Sequence, residues 1–203
     1  MVKAKAPRNK TLELSPKEIA LYASKAVKLS QKSNLTDVIN RVIRQDSFKA
    51  LDLLPDGCID LMIVDPPYNL TKNFGKSTFK EMDFDAYKKW LDKWLKKTVR
   101  LLKDNASIYI CADWKTSICI PEAAGKYFIL RNRISWEREK GRGAKDNWKN
   151  CLEDIWFFTK GKDYTFNIDA VKVQRPVIAP YRNEKGEPKD LSLIHISEPT
   201  RLL

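Results

Sequence analysis

The feature that most constrains this chain is an apolar run that ends abruptly against two prolines. Ile59-Asp60-Leu61-Met62-Ile63-Val64 has the length and β-branched content of a strand buried on both faces, as in a parallel sheet. It leads directly into Asp65-Pro66-Pro67-Tyr68-Asn69. Neither proline can donate a backbone N–H, so the ladder must stop there. Asp65, placed before a proline, is held extended. The pattern predicts a rigid corner at a strand's carboxyl end, which is where open α/β sheets carry their ligands.

The residue types at this corner suit one kind of chemistry. The Asp65 carboxylate and the Pro66 carbonyl are acceptors without hydrogens of their own, and both can take hydrogen bonds from an exocyclic NH₂. Tyr68 offers a face on which a planar base can stack, worth ~1–3 kcal/mol. The amine of a nucleobase is a poor nucleophile because its lone pair is delocalised into the ring. Two fixed acceptors that draw its hydrogens out of plane localise that pair, and preorganised electrostatics of this sort is usually the largest catalytic term.

Asp65-Pro66-Pro67-Tyr68 resembles the catalytic tetrapeptide of the amino-directed DNA methyltransferases, which use S-adenosyl-L-methionine to methylate adenine N6 or cytosine N4. In that family Asp in first place is commoner among the adenine enzymes and Ser among the cytosine enzymes. The resemblance implies an α/β fold with an incomplete Rossmann-like methyltransferase sheet, largely parallel with an antiparallel hairpin. It implies Asp65, Pro66, Pro67 and Tyr68 as catalytic residues, with Asp65 also near the cofactor and Asn69 bracing the corner beside the substrate. Its implied substrate is double-stranded DNA with the target base flipped out, in a prokaryotic or phage-type cytoplasmic setting. Adenine N6 is the leading target, with cytosine N4 left open.

Charge agrees with a polyanionic partner. The 203 residues carry a formal net charge of +12, concentrated early: residues 1–50 hold 11 Lys/Arg against 4 Asp/Glu. No apolar stretch approaches the ~20 residues of a membrane span, and no signal-peptide core follows Met1, so nucleic acid is preferred over membrane. The four cysteines, Cys58, Cys111, Cys119 and Cys151, form no C-x-x-C pair, and nothing points to a metal.

Along the chain, residues 1–10 read as a basic arm. Ser15-Pro16-Lys17-Glu18 is a helix start with Ser15 as N-cap and Glu18 at N3, opening a helix to about Leu29. Val38–Arg44 reads as a short strand and Ser47–Leu54 as a helix, making a βαβ unit with the strand before the corner. That unit places Asp46 at a strand end beside Asp65. The resemblance makes Asp46 a candidate toward the cofactor, and a helix-capping role is equally open. Leu70–Lys80 is a polar loop holding Phe74, Gly75 and Phe79, able to close over a base or to pack on itself. Asp85–Leu102 is an amphipathic helix, with Tyr87, Trp90, Leu91, Trp94 and Leu95 on its apolar face.

Further strands are expected at Ala106–Cys111, Tyr127–Trp136 and Glu153–Thr159, the last with a hairpin partner near Asp163–Asn167, and a helix at Ile118–Lys126. Asp113-Trp114 falls on the ligand side of the sheet. The loop from Glu137 to Asn150 is basic and glycine-containing: Arg142 and Lys145 can meet phosphates, and Arg138 and Trp148 can sandwich or replace a displaced base. With Trp136, this stretch resembles the family's segments that line the target-base pocket; a solvated hairpin loop is the plain reading.

The expected layout is a basic arm and helix over 1–35, a catalytic half-domain over 36–170, the start of a target-recognition region over 171–190, and a tail over 191–203. The tail resembles adapter read-through, and His195 within it is given no role. The resemblance covers roughly 36–190. The family's glycine-rich cofactor loop, which the β arrangement places after the recognition region, is absent from this sequence; Asn73-Phe74-Gly75-Lys76 lacks its second glycine. The expectation is a gene product cut short before that loop, and a nucleic-acid-binding module without catalysis is the alternative for this chain.

Overall fold

The structure, a computed structural model, describes residues 12–73, 78–142, 146, 148, 150–171 and 183–185, with the side chains of 139–142 left aside. The expectations at Phe74, Gly75 and Lys145, at the Arg142 side chain, in the arm over 1–10, and at His195 therefore lie outside the described residues. The chain divides into two compact units, Met1–Cys58 and Ile59–Leu203.

In the first unit, α1 (Pro16–Lys25) begins as the sequence dictates. The Ser15 hydroxyl accepts from the Glu18 N–H, and the Glu18 carboxylate accepts from the Ser15 N–H at 2.7 Å. It ends four residues earlier than expected and buries none of its residues. The strand expected over Val38–Arg44 is not formed. Leu35–Val38 is a helical turn, α2, and Asn40 at φ 56° bends the chain out of extension. What survives is one parallel bridge, Val27 to Ile43. Without that strand there is no βαβ unit here: an apolar, β-branched run becomes a strand only where a neighbour accepts its ladder. The helix α3 (Ser47–Leu53) follows, as expected.

The second unit is built on a mixed sheet. β1 (Ile59–Val64) leads into the corner, and a small hairpin follows it, β2 (Lys72–Asn73) with β3 (Thr78–Phe79). Then come α4 (Phe84–Thr98), β4 (Leu102–Asp113), α5 (Cys119–Ala124), β5 (Ile129–Arg142) and β6 (Asn150–Thr159). The spatial order is β1-β4-β6-β5. β1 runs parallel to β4, while β6 lies antiparallel to both β4 and β5.

The two faces of this sheet differ. Ile108, Ile110 and Ala112 of β4 and Phe158 of β6 are fully buried, as are Leu91 and Leu95 of α4 and Ile120 of α5. Tyr109, Cys111 and Asp113, on the other face of β4, are half-buried. Tyr109 stacks on Phe157 at 4.7 Å between ring centres, and Tyr164 and Phe166 pack against Phe157. Those last two residues belong to the segment expected as a strand partner for β6. It is instead an irregular stretch that covers the sheet with aromatic rings, and the hairpin partner of β6 is β5.

β1 is not buried on both faces as its composition suggested. It is an edge strand of the described sheet, and Ile63 is 70% exposed. The hydrophobic run reports strand formation; whether both faces are covered is decided by elements elsewhere in the chain.

Candidate active site

The corner forms because β1 cannot continue. Pro66 is buried and Asp65 exposed, so the prolines anchor the turn while the carboxylate faces outward. Two contacts hold it from behind. The Tyr87 hydroxyl, on the buried side of α4, donates to the Pro67 carbonyl at 2.9 Å. Asn69, 1% exposed, donates through Nδ2 to the Met82 carbonyl at 2.6 Å and accepts from the Met82 N–H at 2.9 Å. With both ends of its amide engaged, Asn69 braces the corner and stands apart from the lining of the hollow in front of it. Glu81, beside Met82, bonds Lys115 at 2.8 Å and so ties this loop to the turn after β4.

In front of the corner lies a cavity of about 230 Å³ lined by Asp65, Pro66, Pro67, Tyr68, Leu70 and Lys72. Burial, followed by a hydrogen bond to the Asp65 carboxylate, pushes the Tyr68 phenol well above its usual range. Tyr68 is thus a neutral aromatic beside the Asp65 carboxylate.

The sheet brings other groups to this place. Val64 pairs with Ile110, so Asp65 ends beside Cys111, whose thiol is pushed up by burial and then by the charges of Asp65 and Glu153. Glu153 of β6 pairs with Asp113 of β4 on one side and with Trp136 of β5 on the other. Its carboxylate bonds the Arg138 guanidinium. Trp136 and Arg138 therefore lie on the strand next to Glu153, exposed, at the carboxyl end of β4. Trp148 is 96% exposed. Neither Glu153 nor Cys111 carried a signal in the sequence as a site residue, because their place depends on strand register; the acidic residues nearest to Arg138 in sequence are its two neighbours, Glu137 and Glu139.

Asp46 lies in the first unit as the N-cap of α3, its carboxylate accepting from the Lys49 N–H at 3.0 Å. The strand expected to carry it toward Asp65 is absent, and capping is the interaction it makes.

The cavity has room for one nucleobase. It falls below the roughly 300–1,000 Å³ of pockets that enclose drug-sized ligands.

Comparison with known proteins gives a consistent picture. The N6/N4 methyltransferase family model, described as DNA methylase, matches residues 59–188. Type II methyltransferase M.HpaI of Haemophilus parainfluenzae is 34% identical over 151 residues, covering 72% of this chain and 47% of that protein. DNA adenine methyltransferase YhdJ of Escherichia coli (strain K12) is 31% identical over 156 residues, covering 72% and 52%. The chain thus spans about half the length of these curated relatives. Among solved structures, PvuII DNA methyltransferase (cytosine-N4-specific) shares the fold with a TM-score of 0.55 at 18% identity, over 75% of this chain and 58% of that one. A corner of Asp-Pro-Pro-Tyr closing a strand of a mixed α/β sheet, inside a family match covering more than half of the chain, shows that this protein belongs to the N6/N4 DNA methylase family.

Proposed function

We propose that this chain carries the amine-gripping part of a DNA methyltransferase that modifies adenine at N6, with S-adenosyl-L-methionine as methyl donor. The observation that supports it above all is an exposed Asp65 carboxylate at the mouth of a base-sized cavity, on a corner fixed from behind. Asp65 and the Pro66 carbonyl accept the two hydrogens of the amine and hold its lone pair out of the ring plane. The neutral Tyr68 ring stacks on the base. A base withdrawn from its duplex enters from the DNA side, where Trp136, Arg138 and Trp148 stand exposed.

The test is Asp65→Ala in a version of the protein that also contains the remaining length of its relatives. Methyl transfer to DNA should fall about a hundredfold or more, with DNA affinity unchanged within a few-fold. Retained activity in that variant removes Asp65 from its role. Nucleoside analysis of the methylated DNA decides the base: N6-methyladenine supports the reading, and N4-methylcytosine replaces adenine by cytosine at the same corner.

A further inference from the structure

Of the two adjacent carboxylates on β6, one is absorbed by the fold. Asp154 accepts from the Ser117 hydroxyl at 2.5 Å, and Ser117 in turn accepts from the Trp156 indole N–H at 2.8 Å, which ties β6 to the turn before α5. Glu153 points to the opposite face, because side chains alternate along a strand. Its side chain is only 17% exposed, and its partner among the described residues is Arg138. Its charge reaches both the Tyr68 phenol and the Cys111 thiol. A largely buried carboxylate on the site face, bonded to an otherwise exposed arginine, fixes a flexible side chain on the strand beside it.

We propose that Glu153 is a positioning residue of the target-base site, holding the Arg138 guanidinium so that it donates to the ring nitrogen adjacent to the amine. This rests on the reading of Asp65 as the amine's grip. In adenine that nitrogen is N1 and in cytosine N3, and each is an acceptor. The corner supplies acceptors for the donating amine, and Arg138 supplies the donor for its neighbour. Acceptors and donor together read the Watson–Crick edge of an extruded base. A guanidinium left free would lose rotamer freedom on binding; one already clamped by Glu153 loses less.

The test uses the 203-residue chain and short duplexes followed by fluorescence anisotropy. A mismatched base is the least costly to extrude, so a duplex with one mismatched adenine is compared with its paired parent. Two analogues then replace that adenine: unsubstituted purine, which lacks the amine, and 1-deazaadenine, which lacks N1. Parallel duplexes carry cytosine and 3-deazacytosine. The expected result is tighter binding of the mismatched duplex, and a loss of about tenfold on deleting the ring nitrogen. Glu153→Ala should lose the same factor on the natural base and show no further response to the deaza analogue. Glu153→Gln should fall between, and the double variant with Arg138→Ala should bind no more weakly than either single one. The proposal is overturned if the unaltered chain binds the deaza and natural duplexes equally, or if Glu153→Ala keeps the full deaza response. In those cases a loss with unsubstituted purine leaves the Asp65 reading standing, and indifference to that analogue as well removes both.

Discussion

The corner and the β5–β6 arm stand at the same end of one sheet and are built in opposite ways. At the corner Pro66 and Asn69 are buried, the Pro67 carbonyl is held by Tyr87, and Asn69 is locked to the Met82 backbone. On the arm Trp136, Arg138 and Trp148 are exposed, and the ladder between β5 and β6 shifts register between Glu137 and Arg142. An acceptor that must meet two hydrogens of an amine needs its position fixed by the interior. A surface that follows a nucleic acid needs exposed side chains carried on a backbone ladder, and among the described residues Arg138 alone of these three has a carboxylate, Glu153, to steady it.

The sharpest way to break this contrast, after loss of the Asp65 carboxylate itself, is to remove the brace. Asn69→Ala deletes two hydrogen bonds and leaves the Met82 N–H and C=O without them. The expected loss is about 2–4 kcal/mol of unfolding free energy, from two bonds of ~1 kcal/mol each plus the desolvation of the groups left behind. Urea unfolding measures it. A change under ~0.5 kcal/mol would mean that the prolines and the Tyr87 bond hold the corner without Asn69.

Tyr87→Phe is a milder intervention from the same side. It removes the donor to the Pro67 carbonyl and should cost about 1 kcal/mol. It should also alter the pH dependence of stability. Burial, followed by the charge of Asp113, raises the Tyr87 phenol above its ordinary value of 10.0. A phenol raised in the folded state contributes stability that is complete below about pH 10 and is lost as pH climbs through the folded value. The unaltered chain should therefore weaken more steeply above pH 10 than Tyr87→Phe does. Parallel urea midpoints from pH 8 to 11 would show the two curves converging; parallel curves would say that Tyr87 is not the group that titrates.

How much of this was written in the chain varies with the range of the interactions involved. The start of α1 is legible because Ser15, Pro16 and Glu18 settle it among themselves within one turn. The apolar face of α4, with Tyr87, Leu91, Trp94 and Leu95 all buried, is legible from its spacing. So is the corner, since two prolines stop a strand whatever surrounds it. Val38–Arg44 reads as a strand because its β-branched content suits one, and only distant residues decide whether a ladder partner exists. The exposure of Ile63 was missed for the same reason. Glu153 was invisible as a site residue because nothing in the sequence sets the register that pairs it with Asp113 and Trp136. Likewise, spacing placed Tyr87 in the core correctly, while the use of its hydroxyl on Pro67, twenty residues away, required the fold.

The smallest expected effect on stability tests the other half of the contrast. Trp148 is almost fully solvated, so Trp148→Ala leaves no cavity and should change unfolding free energy by less than ~0.5 kcal/mol. If its ring stacks on a base or fills the place of a displaced one, the same substitution should weaken DNA binding by about fivefold or more, since stacking on an aromatic side chain is worth ~1–3 kcal/mol. Trp148→Phe should recover most of that loss, because the face and not the indole N–H does the stacking. Anisotropy at two salt concentrations separates this from charge, as a stacking loss leaves the salt slope unaltered whereas a lost phosphate contact lowers it by nearly one. Unchanged affinity in Trp148→Ala would make Trp148 a solvated side chain without a part in binding and leave recognition to Arg138 and Trp136, the two arm residues that the sheet places next to Glu153.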